Sequence, residues 1–291
     1  MGDAMSDEPK QEPDRWASWL LRQPFLTAPG PHPVRDRVLD GAKLAAGQRV
    51  LDVGAGTGWL TLEARRRVGP SGNVVALDRS HDALAACRHF VAADDGEGAP
   101  VRYVGGDARQ LPFPDGSFDA VTLRSVLIYV LDKETAVREL WRTLRPGGRL
   151  SLFEPINRIS AAGWERAWEP ELVALRADDA KVQRYLRAHS EHYEPMVGFD
   201  ERDLVRQCVA AGFRTVDLGY EYHYDAGTPR DPALVAENLH FAGNPTAPSY
   251  AEAAHAVLGD AAEDHVAQVA QVFAARPSPQ ASAVAYLTAQ R

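Results

Sequence analysis

The first half of the chain alternates short apolar runs with stretches of mixed polar and apolar residues. Residues 50–53, 73–78 and 101–104 form the apolar runs, and each is closed by a glycine or an aspartate. Such runs are typical of strands buried on both faces of a parallel sheet, and the mixed stretches between them favour helices. The alternation predicts an α/β fold with a doubly wound parallel sheet.

The same alternation continues toward the C-terminus. A fourth strand is predicted over residues 120–123 and a fifth over 149–155, and Asp132 is suited to cap the helix between them. That helix carries apolar residues on one face and is expected to stop at a Pro-Gly-Gly turn. Its face comprises Val137, Leu140, Trp141 and Leu144, a later helix carries Leu204, Val205 and Cys208, and the last strands cover residues 214–224 and 283–287.

Three glycines follow the first strand at alternate positions. Residues 50–58 read Val-Leu-Asp-Val-Gly-Ala-Gly-Thr-Gly, and a helix is predicted from near Trp59. Glycine permits positive φ and lets a ligand approach the backbone closely, while the helix N-terminus presents N–H groups to that ligand. The spacing therefore predicts a nucleotide-like ligand. It differs from the dinucleotide pattern G-x-G-x-x-G, because Trp59 stands where the third glycine belongs.

Two aspartates follow the next two strands on the same expected edge of the sheet. Asp78 ends the second strand twenty residues after Gly58, where a carboxylate can accept hydrogen bonds from ribose hydroxyls. Alternatively, Asp78 caps the next helix, although Ser80 and Asp82 are equally suited to that role. Asp107 closes the third strand after a glycine pair.

The glycine turn, the two strand-end aspartates and the loop before the fourth strand form four ordered motifs over residues 44–157. Together they resemble those of class I S-adenosylmethionine-dependent methyltransferases. The phrase Leu-Pro-Phe-Pro-Asp-Gly-Ser at residues 111–117 is similar to the ubiquinone- and menaquinone-biosynthesis subgroup. The resemblance implies a Rossmann-like seven-stranded sheet of order 3-2-1-4-5-7-6 with an antiparallel last strand, and S-adenosylmethionine as cofactor. It also implies that Asp107 faces the adenine amino group. The cofactor-binding residues expected from the motifs are Asp52, Gly54, Ala55, Gly56, Thr57, Gly58, Asp78, Arg79, Gly106, Asp107, Ala108, Arg124 and Ser125.

Two long insertions are expected to form a mostly helical cap over the carboxyl ends of the strands, where ligands bind in such sheets. They cover residues 158–198 and about 225–280, and helices are predicted over 233–241 and 250–273. A helix over residues 15–25 is expected to cover the cofactor. The predicted division is a disordered tail at 1–14, a cofactor-binding core at 15–157, a cap insertion at 158–198, and the end of the sheet with the second insertion at 199–291.

The catalytic base, if the reaction needs one, is a choice among several residues. Histidine suits proton transfer at neutral pH. Strands four and five place Arg124 and Glu154 toward the pocket, and alternation in the sixth strand puts three tyrosines on one face. The catalytic candidates are His192, Tyr193, His223 and Glu154.

Composition narrows the partners further. The net charge of −8 disfavours nucleic acid, which usually binds a basic surface. No apolar run is long enough to span a membrane, and the polar first residues do not resemble a secretory signal. Cys87 and Cys208 are expected to be free thiols in the cytoplasm, no spacing indicates a metal site, and a homodimer is one expected state.

The leading hypothesis is therefore methyl transfer to a small molecule, such as a specialised metabolite, with S-adenosylhomocysteine as product. Methylation of a peptide or protein side chain is the second hypothesis, which an open acidic cleft would favour. A non-catalytic protein that keeps the fold and binds the cofactor is the third. The sequence leaves open whether oxygen, nitrogen or carbon accepts the methyl group.

Overall fold

The computed structural model describes residues 14–22, 31–159, 173–189, 193–225, 230–242, 244–275 and 280–291. The expectations for the tail at 1–13, for the end of the first helix beyond residue 22, and for His192 lie outside the described residues. The Cys87 and Cys208 thiols are free and buried, as expected. No helix in the described part of the chain is both long and apolar enough to cross a membrane.

Seven strands form one sheet in the order β3-β2-β1-β4-β5-β7-β6, which confirms the predicted fold. The first five strands run parallel, and β7 is antiparallel to both of its neighbours. Because parallel strands share one carboxyl edge, the turns that follow β1, β2 and β4 meet at that edge. The strands are β1 (Arg49–Val53), β2 (Asn73–Asp78), β3 (Val101–Gly105), β4 (Phe118–Arg124), β5 (Leu144–Pro155), β6 (Thr215–Asp225) and β7 (Gln280–Gln290).

Helices cover both faces of the sheet and also build the cap. The central strands are buried on both sides, so their side chains are apolar almost without interruption. The helices are α1 (Arg15–Leu21), α2 (Pro33–Gly41), α3 (Trp59–Val68), α4 (His81–Ala93), α5 (Lys133–Thr143), α6 (Val173–Ala188), α7 (Tyr193–Val197), α8 (Glu201–Ala211), α9 (Pro232–Leu239), α10 (Tyr250–Leu258) and α11 (Ala262–Ala275).

One helix ends a residue earlier than the apolar pattern predicts. Asp132 caps α5 as expected, but the helix stops at Thr143, and Leu144 adopts an extended conformation that opens β5. Pro146 disfavours the helical conformation at Arg145, so the helix cannot continue through this segment, and the chain turns into β5 from Leu144. The Leu144 side chain is fully buried, as the pattern predicts, but it lies on β5 and not on α5.

The cap has a hydrophobic cluster of its own, built from α6, α9, α10 and α11. Val182, Val235, Tyr250 and Val269 are among its buried members. The single helix predicted over residues 250–273 is divided at Gly259, whose φ of +57° suits glycine and not the interior of a helix. The break lets α10 and α11 fold back against each other, which a continuous helix could not do.

Candidate functional site

A cavity of about 900 Å³ lies between the carboxyl ends of the strands and the cap. Ligand pockets commonly measure about 300–1,000 Å³, so this cavity is at the large end of the range for small-molecule sites. The turn after β1 and the ends of β2, β3 and β4 line one end, the cap lines the other, and α1 runs along both. The predicted cofactor residues found in this lining are Asp52, Gly54, Ala55, Gly56, Thr57, Asp78, Arg79, Gly106, Asp107, Ala108, Arg124 and Ser125.

The glycine turn has the backbone geometry that its sequence predicts. Gly54 and Gly56 have φ of +67° and +53°, in the left-handed region that side chains disfavour. A Cβ atom on Gly54 would also collide with Val126. Gly58 is not among the lining residues of the cavity. A Cβ atom there would lie 2.6 Å from Cys87 Sγ, so this glycine allows the start of α3 to approach α4 closely.

Asp78 connects the end of β2 to the glycine turn. Its Oδ2 accepts a hydrogen bond of 2.8 Å from Gly56 N, and its Oδ1 accepts one of 2.9 Å from Ser80 N. Burial raises the pKa of this carboxyl. Ser80, and not Asp78, is the N-cap of α4, because its hydroxyl accepts from Ala83 N at 2.9 Å. A carboxylate has about four lone-pair sites, so Asp78 keeps acceptor capacity for a ligand in the cavity.

Asp107 lies at the same end of the cavity, with its side chain half exposed. The Arg109 guanidinium binds both of its carboxylate oxygens, with Nη2 at 2.7 Å from Oδ2. This bidentate pair holds the pKa of Asp107 below its ordinary value. Asp107 is therefore an ionised acceptor with a fixed orientation.

Asp52 supports the turn from within β1. Its carboxylate is buried, and it accepts hydrogen bonds from Thr61 Oγ1 at 2.6 Å and from Thr122 Oγ1 at 3.2 Å. Burial raises the pKa of Asp52 to about 7. Because Thr61 lies on α3 and Thr122 on β4, this carboxylate fixes the elements on both sides of the glycine turn.

The end of β4 brings a cation and a strained residue to the cavity wall. The Arg124 guanidinium lies 5.0 Å from the centroid of the Trp59 ring. Ser125 has a φ of +54°, a conformation that costs a non-glycine residue about 1–3 kcal/mol and is enriched at functional sites. Tyr129 also lines the cavity. The Trp16 ring packs edge-on against it, with 4.8 Å between the ring centroids.

Glu154 does not line the cavity, contrary to its prediction as a catalytic candidate facing the pocket. Its Oε1 accepts hydrogen bonds of 2.9 Å from Val126 N and Leu127 N, and its Oε2 accepts one of 3.1 Å from Ile128 N. The side chain is fully buried, and burial raises its pKa to about 7. This carboxylate holds the short 3₁₀ turn Leu127–Tyr129 from below, so it positions the loop that lines the cavity.

Of the other catalytic candidates, the structure describes the side chain of His223, and it does not lie in the cavity. His223 lies on β6, at the far edge of the sheet, and its side chain is 70% exposed. Three strand spacings, about 14 Å, separate β6 from β4, which explains why its histidine does not reach the cavity. His192 and the side chain of Tyr193 lie outside the described residues.

α1 closes the cofactor end of the cavity from above. A Cβ atom on Gly56 would lie 3.1 Å from Leu20 Cδ1, so this helix covers the glycine turn directly. Trp19 Nε1 donates a hydrogen bond of 2.9 Å to Ala242 O in the cap. These contacts place α1 directly over the glycine turn; that it covers the cofactor stays a prediction.

The sequence analysis did not predict a cluster of three buried polar side chains in the cap. The Tyr250 hydroxyl donates to Asp179 Oδ1 at 2.6 Å and lies 2.9 Å from His265 Nε2. All three side chains are buried, and Tyr250 also lines the cavity. They join α6, α10 and α11. No periodic pattern signals this group, because Asp179 and Tyr250 are 71 residues apart in sequence.

The cofactor end fits a nucleoside. Thr57 Oγ1 is buried at the cavity and has no hydrogen-bond partner among the described residues. Buried hydroxyls normally find a partner, so a polar ligand is the expected one. Asp78 and Asp107 supply carboxylate acceptors for sugar hydroxyls and an amino group at the same end.

Comparison with known proteins agrees with this geometry. Residues 51–152 match the family model described as a methyltransferase domain. The ubiquinone/menaquinone biosynthesis C-methyltransferase UbiE of Hahella chejuensis is 40% identical over 154 residues, which cover 51% of this chain and 61% of that protein. The UbiE protein of Pseudomonas putida is 37% identical over 177 residues, covering 59% of this chain and 67% of that protein. The chain thus spans about three fifths of the first relative and two thirds of the second.

Solved structures show the same fold at lower identity. The YcgJ protein of Bacillus subtilis superposes with a TM-score of 0.57 at 19% identity, covering 90% of this chain and 99% of that one. A putative methyltransferase from Bacillus halodurans gives a TM-score of 0.54 at 20% identity, covering 88% and 97%.

The fold and the family match define the class of protein. The chain belongs to the class I S-adenosylmethionine-dependent methyltransferases, in the subgroup that resembles the ubiquinone/menaquinone-biosynthesis enzymes. S-adenosylmethionine is therefore its cofactor, as the resemblance of the motifs implies. The resemblance of the motifs to this subgroup is confirmed.

Proposed function

We propose that this enzyme methylates a small, largely apolar ring compound that binds beneath the cap. The cavity carries this proposal, because its two ends differ in chemistry. One end has the glycine turn and two carboxylates, while the other has aromatic and aliphatic side chains from α1, the loop after β4 and the cap. The ring-binding residues proposed at that second end are Trp16, Tyr129, Met196, Leu239, Phe241 and Tyr250.

The cofactor pose follows from the residues at the first end. We assign the ribose hydroxyls to Asp78, the adenine amino group to Asp107, and the methionine part to the backbone around Gly54 and Gly56. Charge-assisted hydrogen bonds of this kind contribute about 1.5–3 kcal/mol each. Gly58 is left out of this set because it packs against Cys87.

The names of the relatives support a carbon acceptor on the ring. The Hahella and Pseudomonas proteins are quinone-biosynthesis C-methyltransferases. A fused or single aromatic ring with an oxygen substituent matches the apolar end of the cavity in chemical character. A specialised metabolite of this type remains the proposed substrate class.

The protein contributes to the reaction mainly by positioning the substrate and by excluding water. When bound, S-adenosylmethionine supplies an electrophilic methyl group on a sulfonium sulfur. The cap and α1 hold the ring next to the end of β4 and keep water out, which favours an in-line transfer. Burial raises the pKa of Tyr129, so its hydroxyl stays protonated and is suited to donate a hydrogen bond to a ring oxygen.

A methyl-transfer screen tests the substrate class. The enzyme is incubated with S-adenosylmethionine labelled at the methyl group and with quinols, phenols and indoles, beside peptides that carry Lys, Arg and Glu. We expect labelled ring compounds and unlabelled peptides. Phe241→Ala should raise the KM for a ring substrate about tenfold, since it removes an aromatic wall of the cavity. Leu234→Ala, on the exposed side of α9, serves as the matched control.

A peptide methyltransferase and a non-catalytic cofactor-binding protein, the other two hypotheses, would give different results. Labelled peptides without labelled ring compounds would support a peptide methyltransferase and overturn the proposal. Tight binding of S-adenosylhomocysteine with no labelled product would support a non-catalytic binding protein. We also propose a cytoplasmic location, which the two free buried thiols support.

The cap is proposed to be the substrate-binding part of the molecule. Its separate hydrophobic cluster supports a division between a cofactor-binding core and inserted helices, much as the sequence predicts. Variation in the cap would then change the substrate while the glycine turn and its aspartates keep the cofactor.

A further inference from the structure

The edge strand β6 has no neighbour on its outer side among the described residues. It runs for 11 residues, from Thr215 to Asp225, and pairs along its whole length with β7. An edge strand leaves alternate backbone N–H and C=O groups facing outward, where another strand can pair with them. Shortness, proline and charged side chains, lysine above all, are usual protections of an edge; β6 is long and lacks proline and lysine, and its acidic residues are Asp217, Glu221 and Asp225.

One face of β6 exposes three tyrosines at alternate positions. Tyr220, Tyr222 and Tyr224 are 39%, 52% and 63% exposed. They continue the face on which Val216 and Leu218 pack, partly buried, against the hydrophobic core of the sheet. A strand added beside β6 would bring side chains against these rings, and such cross-strand aromatic and aliphatic pairs stabilise a sheet.

We propose that β6 pairs antiparallel with β6 of a second copy of this chain, so that the two sheets join into one. The two-fold axis passes beside Tyr220, which lies opposite the partner subunit's Tyr220. This register pairs all 11 residues of the strand and forms about ten backbone hydrogen bonds. A two-fold axis makes the contact self-complementary and closes the assembly at a dimer.

Side-chain charge selects this register. With the axis at Tyr220, Asp217 lies opposite the partner subunit's His223, and the symmetry repeats this pair. Moving the axis to Gly219 sets Asp217 opposite the partner subunit's Glu221, and moving it to Glu221 sets two glutamates face to face. Like charges directly opposite each other destabilise a strand pair. Of these three registers, the one with its axis at Tyr220 places an acid opposite an imidazole and avoids a pair of facing acids.

The surroundings of Asp217 and His223 are compatible with this pairing. On β7, Asp217 lies opposite Thr288 and His223 lies opposite Ser282, so neutral hydroxyls face both from that side. Glu221 is 3.9 Å from His223 but is also held by the Arg37 guanidinium. The imidazole edge therefore remains exposed for an acceptor from the partner.

The tyrosine-bearing face of β6 meets apolar side chains of the partner in the same register. Tyr222 lies opposite the partner subunit's Leu218, and Tyr224 lies opposite the partner subunit's Val216. The edge is three strands from β4, so a dimer formed here leaves the cavity accessible. This interface stands independently of the substrate class proposed above.

Placing two acids opposite each other, and then exchanging the acid and the imidazole, tests the interface. Sedimentation velocity of the full chain over a range of micromolar concentrations should show a dimer. His223→Asp places two acids opposite each other at two symmetric sites, and it should raise the dimer dissociation constant at least tenfold. Adding Asp217→His to that variant restores acid–imidazole pairs and should restore the dimer.

Matched controls separate the interface from folding. His89→Asp makes the same chemical change at an exposed position on α4 and should leave the dimer unchanged. All variants should keep the affinity for S-adenosylhomocysteine, and they should keep the thermal midpoint when it is measured at a concentration at which the unaltered chain is monomeric. Tyr220→Lys, which sets two cations on the axis, should also give a monomer.

Two results would overturn the proposal. One is a chain that stays monomeric across the concentration range. The other is a dimer whose dissociation constant is the same in the His223→Asp and Tyr220→Lys variants as in the unaltered chain, which would place the contact on another surface.

Discussion

Asp78 is the residue that joins the sheet, the glycine turn and the proposed ribose position. We expect Asp78→Ala to weaken S-adenosylhomocysteine binding at least tenfold, because it removes an acceptor for ligand hydroxyls and the anchor of Gly56 N. Isothermal titration calorimetry measures the change. Asp95→Ala, an exposed aspartate beyond α4, is the control and should bind normally. Unchanged affinity in Asp78→Ala would remove this residue from the ribose.

Gly56 combines a positive φ with close cover by α1. Gly56→Val should reduce cofactor affinity more than tenfold, because its side chain would meet Leu20 and narrow the approach to the backbone. Gly69→Val is a matched control, since Gly69 has a φ of +65° but no atom within 4 Å of a Cβ placed there. The control carries the backbone strain without the crowding. Equal affinity in the two variants would show that close approach at Gly56 is unimportant.

Asp52 should make stability depend on pH. Its pKa of about 7 lies above the ordinary value because burial favours the protonated carboxyl. The folded state therefore binds a proton that the unfolded state releases, so its contribution to the free energy of unfolding falls as pH rises through 7. Between pH 6 and pH 8 the loss is about 1 kcal/mol.

Asp52→Asn isolates this contribution. Urea unfolding at the two pH values should show a smaller pH dependence in the variant than in the unaltered chain, by about 1 kcal/mol. Glu154 also has a raised pKa and Lys133 a lowered one, and both remain in each protein. An identical pH dependence in the two proteins would contradict the pKa assigned to Asp52.

At the scale of elements, the loop after β4 depends on the carboxylate beneath it. Glu154→Gln replaces one acceptor oxygen by an amide that faces a backbone N–H, which should lower the free energy of unfolding by about 1–3 kcal/mol. Chemical denaturation measures that loss. Glu154→Asp, which keeps the charge but shortens the reach, should have an intermediate effect. Lost activity at unchanged stability would instead support the original catalytic prediction.

Elements with a local signal were predictable from the sequence. The strands, the glycine turn and the cap of α5 follow from residues adjacent to one another in the chain. Leu144 and Gly259 show where the signal misleads. The apolar periodicity includes Leu144, although the helix ends before it, and it continues across Gly259, which has a positive φ. Glu154 shows a different limit, since position at a strand end does not tell whether a side chain points into a cavity or under a loop.

At the scale of the whole molecule, the substrate end of the cavity was the least predictable part. Tyr250, Asp179 and His265 meet only because three cap helices pack together, and their separations in sequence carry no periodic signal. The sequence predicted the cap and its approximate bounds, but not its lining. By contrast, the strand order followed from family resemblance, and the structure confirms it.

The central claim is that the cavity over the glycine turn holds the cofactor. A crystal structure of the chain with saturating S-adenosylhomocysteine tests this claim most directly. We predict ligand density beside Gly54 and Gly56, with the ribose hydroxyls within hydrogen-bond distance of Asp78 and the adenine near Asp107. Density elsewhere on the molecule, or a ribose that avoids Asp78, would contradict it.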